Sequence, residues 1–206
     1  MDARFLTYVL VAAVLIVTPG PDMALVARNA VRGGYPAARA TAFGVGAGIF
    51  LWGCGTAAGL AQALAASAAV FSALKLAGAL FLVALGVRSL LRARRAADAA
   101  ALERPAVPLR GRPAFVQGLI GNLLNPKAGA IFVAVVPQFV EPGDPATRLA
   151  AMTAAFVVMV TVWLNVYGFA IARAFARFGT GMRRLLDGIA GAVMIGLGVR
   201  LAVARR

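Results

Sequence analysis

Histidine is absent from this 206-residue chain, and cysteine occurs once. The first absence removes the commonest metal ligand and the side chain best suited to moving protons near neutral pH. The second excludes an internal disulfide and argues against a thiolate metal site. Cys54, within Trp52-Gly53-Cys54-Gly55, reads as a small packed residue. Charge is also scarce, at 14% of residues, where soluble chains carry roughly a quarter. There is no Walker-type Gly-Lys-Ser/Thr loop and no pair of carboxylates close together within the apolar stretches. The chain therefore reads as neither an enzyme nor an ATP-driven pump, with no metal and no cofactor.

What is present is apolar. Hydrophobic residues make up 62% of the chain, and the mean hydropathy is +0.87. Apolar runs longer than about 18 residues recur, each enough to cross a roughly 30 Å hydrocarbon core. The pattern predicts an all-α membrane protein with six spans, at about 5–27, 42–66, 69–91, 114–140, 149–172 and 185–203. Phe5–Val17 is short enough to mimic a secretory signal. Pro19 and Pro21 stand where a cleavage site would need small residues, and the run then resumes, so it reads as an uncleaved first span.

Net charge is +14, yet the arginines sit in connectors, a placement that fits the positive-inside bias and not nucleic-acid binding. The connectors after the first, third and fifth spans hold Arg28, Arg32 and Arg39, then Arg88 to Arg112, then Arg173 to Arg184. This asymmetry predicts a cytoplasmic central loop, about 92–113, and both termini outside. A helical stretch within 96–102 is expected in that loop, which also contains Asp98 and Glu103.

Two of the spans are interrupted. Thr18-Pro19-Gly20-Pro21-Asp22 breaks the first, and Asn122-Leu123-Leu124-Asn125-Pro126-Lys127 breaks the fourth. Lipid cannot satisfy the backbone groups freed by such a break, so it must face protein or a hydrated cavity. Three spans per half is an odd number, so the halves would be inverted repeats, about 1–91 and 114–206, of a single transmembrane domain. Leu85-Gly86-Val87-Arg88 and Leu197-Gly198-Val199-Arg200 are a fragment of direct self-similarity. Small residues at Gly44, Gly46 and Gly48, and at Gly188, Ala192 and Gly196, suit close helix packing, internal or across a homodimer.

Pro19 and Pro21 withhold N–H donors, and Gly20 supplies backbone freedom. Asp22 has two readings: a cap on the half-helix that follows, or a cavity carboxylate that binds a cationic amine and a proton in turn. Pro126 frees carbonyls a turn earlier, and Asn122 and Asn125 add donors and acceptors. Lys127 lies mid-span, where a charge costs about 2.5–3.5 kcal/mol on insertion scales. It either faces the interior with Asp22 as partner, or braces the fold by bonding freed carbonyls. Lys75 and Asp187 near span ends read as snorkelling or capping groups, Asn165 as interhelical glue, Gln138 as a span terminus, and Tyr8, Trp52 and Trp163 as interfacial anchors.

The two interrupted motifs, with Val136-Pro137-Gln138-Phe139 and Leu74-Lys75-Leu76-Ala77-Gly78-Ala79, resemble the LysE/RhtB-type amino-acid exporters along essentially the whole chain. The resemblance implies efflux of amino acids or their derivatives across a bacterial inner membrane, driven by proton antiport. The two helix breaks themselves are expected to form the substrate site, at Pro19, Gly20, Pro21, Asp22, Asn122, Asn125, Pro126 and Lys127, with Asp22 as the proton-coupling group. One firm carboxylate beside one lysine favours a neutral amino acid: Asp22 for the α-ammonium group, Lys127 and half-helix N-termini for the α-carboxylate. Competing readings are a carrier of another small solute such as a metal ion, and a non-transporting scaffold.

Overall fold

The computed structural model describes residues 3–59, 111–140, 144, 146–176 and 180–203, with isolated helical positions between 73 and 91. Six elements carry labels here: α1 (Ala3–Val17), α2 (Pro21–Ala57), α3 (Arg112–Leu123), α4 (Pro126–Phe139), α5 (Ala146–Ala176) and α6 (Thr180–Val203). No strand occurs among the described residues. Lys75, Arg88, most of the central loop and the side chain of Asp187 lie outside the described residues.

Both proline breaks form as the residues demand. Thr18 closes α1, its N–H and its hydroxyl both donating to the Val14 carbonyl at 3.1 and 2.7 Å. Pro21 then opens α2 at its first turn, where a missing N–H costs nothing. The second break repeats this grammar. Leu124 closes α3 through Ile120, and Pro126 opens α4 behind an Asn125 cap. The two helices meet at 48°. Pro137 then withholds another donor, and α4 passes from α-helix through a π turn at Ile131–Val135 to a 3-10 turn at Val136–Phe139. Gln138 is exposed at that end, as expected of a span terminus.

α2 is a hairpin and not a straight rod of 37 residues. Asn29 Nδ2 donates to Thr41 Oγ1 at 2.9 Å although twelve residues separate them. A straight helix would hold those Cα atoms about 18 Å apart. The fold-back lies at Gly34, with φ 66 and ψ −165, in a region that only glycine adopts readily. Pro36 follows at once. The hairpin thus joins the part of the first expected span that follows the break to the second expected span, around a very tight turn.

Arg28, counted above among connector residues, is instead 1% exposed. Its guanidinium donates to Asn29 Oδ1 at 3.2 Å and Gln117 Oε1 at 3.3 Å. The hairpin carries it inward, against α3.

Glycines set how closely the hairpin meets its neighbours. A Cβ on Gly44 would collide with the Phe115 carbonyl, and one on Gly118 with the Thr41 carbonyl. Cβ atoms on Gly121 and Gly168 would stand 2.8 Å from Leu25 Cδ2 and Ala38 Cβ. By contrast, Gly188 and Gly196 meet nothing within 4 Å. Among the described residues, that α6 stripe does no internal packing.

Large apolar side chains face outward in stripes: Leu6, Leu10, Val14 and Val17 on α1, and Val158, Val162, Val166 and Phe169 on α5. The opposite face of α1 buries Tyr8, Ala12 and Ile16. Helices apolar on both faces belong in lipid. α2 and α5 are each long and apolar enough to cross a membrane, and α3 with α4 is so as one broken span. The aromatic anchors are corrected in part. Tyr8 is buried and donates to the Met152 carbonyl at 3.1 Å, and Trp52 is buried beside the second break. Cys54 is exposed, and Gly53 is the packed residue of that pair, pressed against Thr153. Asn165 accepts from the Tyr35 hydroxyl at 3.4 Å, joining α5 to the hairpin as expected.

Candidate functional site

Asp22 is the second residue of α2, and Asn122 lies in the last turn of α3. Asn122 Nδ2 donates to Asp22 Oδ2 at 3.0 Å. Asn122 is wholly buried, and its carbonyl accepts from Trp52 Nε1 at 3.4 Å. Gly48 makes room for it, because a Cβ there would come within 2.6 Å of Asn122 Oδ1. The remaining oxygens of the pair, Asp22 Oδ1 and Asn122 Oδ1, are both buried without a hydrogen-bond partner. Such atoms carry a desolvation penalty unless something else reaches them.

The expectation that Asp22 caps α2 is overturned. Gly20 holds the cap position, no side chain bonds there, and the carboxylate turns to Asn122. Asn125 is the break residue that does cap, with its Oδ1 accepting from the Lys127 N–H at 3.0 Å. Gly20 is corrected too. Its φ of −168 is extended backbone open to any residue, so its smallness and not its freedom matters: a Cβ would touch Lys127 Cδ at 3.4 Å.

Lys127 is the second residue of α4. Its Nζ donates to the Thr18 carbonyl at 2.6 Å, an oxygen stranded by the two prolines that follow it. The bracing reading of Lys127 thus describes its present contact. No ion pair within 4.0 Å joins it to Asp22, yet both face one pocket with Thr18, Gly20 and Asn125. The pocket holds about 410 Å³ of empty space counted to its open mouth. Its enclosed part is narrow.

The breaks are related in form. Each half-helix begins with proline and then places a charged residue second: Asp22 in one, Lys127 in the other. Each charged side chain crosses to the end of the helix preceding the other break. Of the expected site residues, Gly20, Asp22, Asn125 and Lys127 line the pocket. Asn122 stands behind Asp22, while Pro19, Pro21 and Pro126 shape the backbone. Missed from the sequence were the Thr18 carbonyl, Trp52, Gly48, and a wall of α5 made by Phe156, Val160 and Leu164. Thr18 was within reach, because a carbonyl in the last turn before a helix break is left without an intrahelical N–H to accept from. The α5 residues carried no signal, being apolar within an apolar span.

Paired breaks, opposite charges and an intervening pocket are what a carrier needs, and the sequence comparison decides the class. Residues 13–205 match the profile of the LysE type translocators. The chain belongs to that family. The translocator is 30% identical to the threonine efflux protein of Escherichia coli (strain K12), with 98% of each chain covered. It is 27% identical to the leucine efflux protein of Salmonella choleraesuis, covering 97% of this chain and 94% of that one. An uncharacterized membrane protein of Bacillus subtilis is 26% identical over 97% of this chain and 98% of its own. No solved structure matches. This translocator is therefore a membrane transport protein of an efflux family and not an enzyme.

Proposed function

We propose that the chain is a secondary exporter of amino acids or their derivatives, working by proton antiport at a mid-membrane site formed by the two helix breaks. The observation that carries this reading is that Asp22 and Lys127, each second in its own half-helix, open onto one pocket. A carboxylate and an ammonium group side by side match the two charges common to every α-amino acid. The names of the threonine and leucine efflux relatives support that solute class.

In this reading the α-ammonium group binds Asp22, whose Oδ1 has no hydrogen-bond partner among the described residues. The α-carboxylate draws Lys127 off the Thr18 carbonyl. After the solute leaves, a proton from outside takes its place on Asp22 and is released inside, so one carboxylate serves both ligands in turn. The related form of the two breaks supports inverted repeats of three spans, about 1–91 and 114–206, around a cytoplasmic loop in the bacterial inner membrane.

Counterflow in proteoliposomes with a panel of amino acids tests the proposal. We expect labelled amino acid to accumulate with wild type, and accumulation to fall at least tenfold with Asp22→Asn or Lys127→Met. Normal transport by both variants, or no movement of any amino acid, would overturn it.

A further inference from the structure

We infer that the exported amino acid has an aliphatic side chain, of the valine and leucine class, and that α5 reads it. This rests on the exporter reading above and goes beyond it in naming the side chain and the residues that select it.

The polar side chains of the pocket lining are Thr18, Asp22, Asn125 and Lys127. Apart from these and Gly20, the described lining residues are apolar. Phe156, Val160 and Leu164 recur every fourth residue and so share one face of α5. Ile49 from the α2 hairpin and Ile131 from α4 also line the pocket. All five are buried. With the α-ammonium on Asp22 and the α-carboxylate on Lys127, the side chain must point among them.

The polar groups at the charged end are already engaged. The Thr18 hydroxyl donates to Val14, and the Asn125 side-chain oxygen accepts from Lys127 N–H. Among the apolar lining residues themselves, a hydroxyl on the solute side chain would find no side-chain partner. A cationic side chain would need a second carboxylate, and among the described residues Asp22 is the only acidic one in the lining. Apolar pockets reject an added hydroxyl of equal shape by a limited factor, about a hundredfold at most. Valine and threonine are isosteric, so their ratio isolates that effect.

The test is counterflow of labelled leucine, valine, threonine and lysine by the full chain in proteoliposomes. We expect valine to exceed threonine by about ten- to a hundredfold, and lysine to stay at the background of empty vesicles. Val160→Thr, which offers the solute hydroxyl a partner, should narrow the valine-to-threonine ratio about tenfold. Threonine moved as well as valine, or lysine as well as leucine, overturns the aliphatic wall while leaving the exporter reading intact. No transport of any amino acid removes the exporter reading and this inference with it. The wild-type ratios decide the matter even if Val160→Thr does not fold.

Discussion

Asn122 donates one hydrogen bond to Asp22, and each of the two side chains then keeps a buried oxygen that no described residue satisfies. The arrangement holds the carboxylate in place while leaving one of its oxygens unbonded among the described residues. Hydrogen bonds to charged groups are worth about 1.5–3 kcal/mol, so Asn122→Ala should lower counterflow by roughly ten- to a hundredfold. Yield and monodispersity in detergent should follow the wild type more closely than activity does. Equal losses in both would mean that Asn122 only holds the fold.

Asp22→Asn removes binding and drive together, because one carboxylate serves both ligands. If Asp22 takes the proton that replaces the solute, the variant should fail to respond to an imposed pH gradient. Accumulation driven by acid outside, read against a variant-free vesicle control, checks this. An undiminished response would place the coupling group elsewhere.

Close helix contact predicts a sharp contrast among glycines. Gly44→Ala and Gly118→Ala push a methyl group into a backbone carbonyl, and overpacking of this kind costs about 1–3 kcal/mol or more. Gly196→Ala meets open space and should stay within about 0.5 kcal/mol of wild type. Thermal denaturation in detergent should show the first two melting well below the third. Similar losses for all three would contradict the packing described.

Gly34 is the hairpin's turning point. Replacing it by alanine asks an L residue to hold φ 66 and ψ −165, at about 1–3 kcal/mol. Reduced melting temperature is expected. Because Asp22 and the Asn122 support from Trp52 and Gly48 lie on opposite limbs, reduced counterflow should accompany it. A variant indistinguishable from wild type in both would show that the turn tolerates another geometry.

The breaks were legible because proline is a local instruction: it removes a donor wherever it stands. The site residues beside them were legible for the same reason, since polar groups within an apolar span need an explanation. Arg28 was not. Its burial depends on Gln117, nearly ninety positions away, and arginine near a turn looks the same whether it faces water or α3. Tyr8 and Trp52 failed alike, because an aromatic ring with a polar tip suits a membrane interface and a buried carbonyl equally well. The capping role of Asp22 failed through competition, as Asn122 offers its carboxylate a partner that only the folded chain brings near.

Holding Lys127 on the Thr18 carbonyl has a consequence for idle turnover. A carrier that returns without cargo would otherwise drag a bare ammonium through low dielectric and recruit chloride to neutralise it. Here a main-chain oxygen at 2.6 Å already shelters that group. Exchanging chloride for a bulky organic anion should therefore leave the rate of the empty carrier's return unaltered.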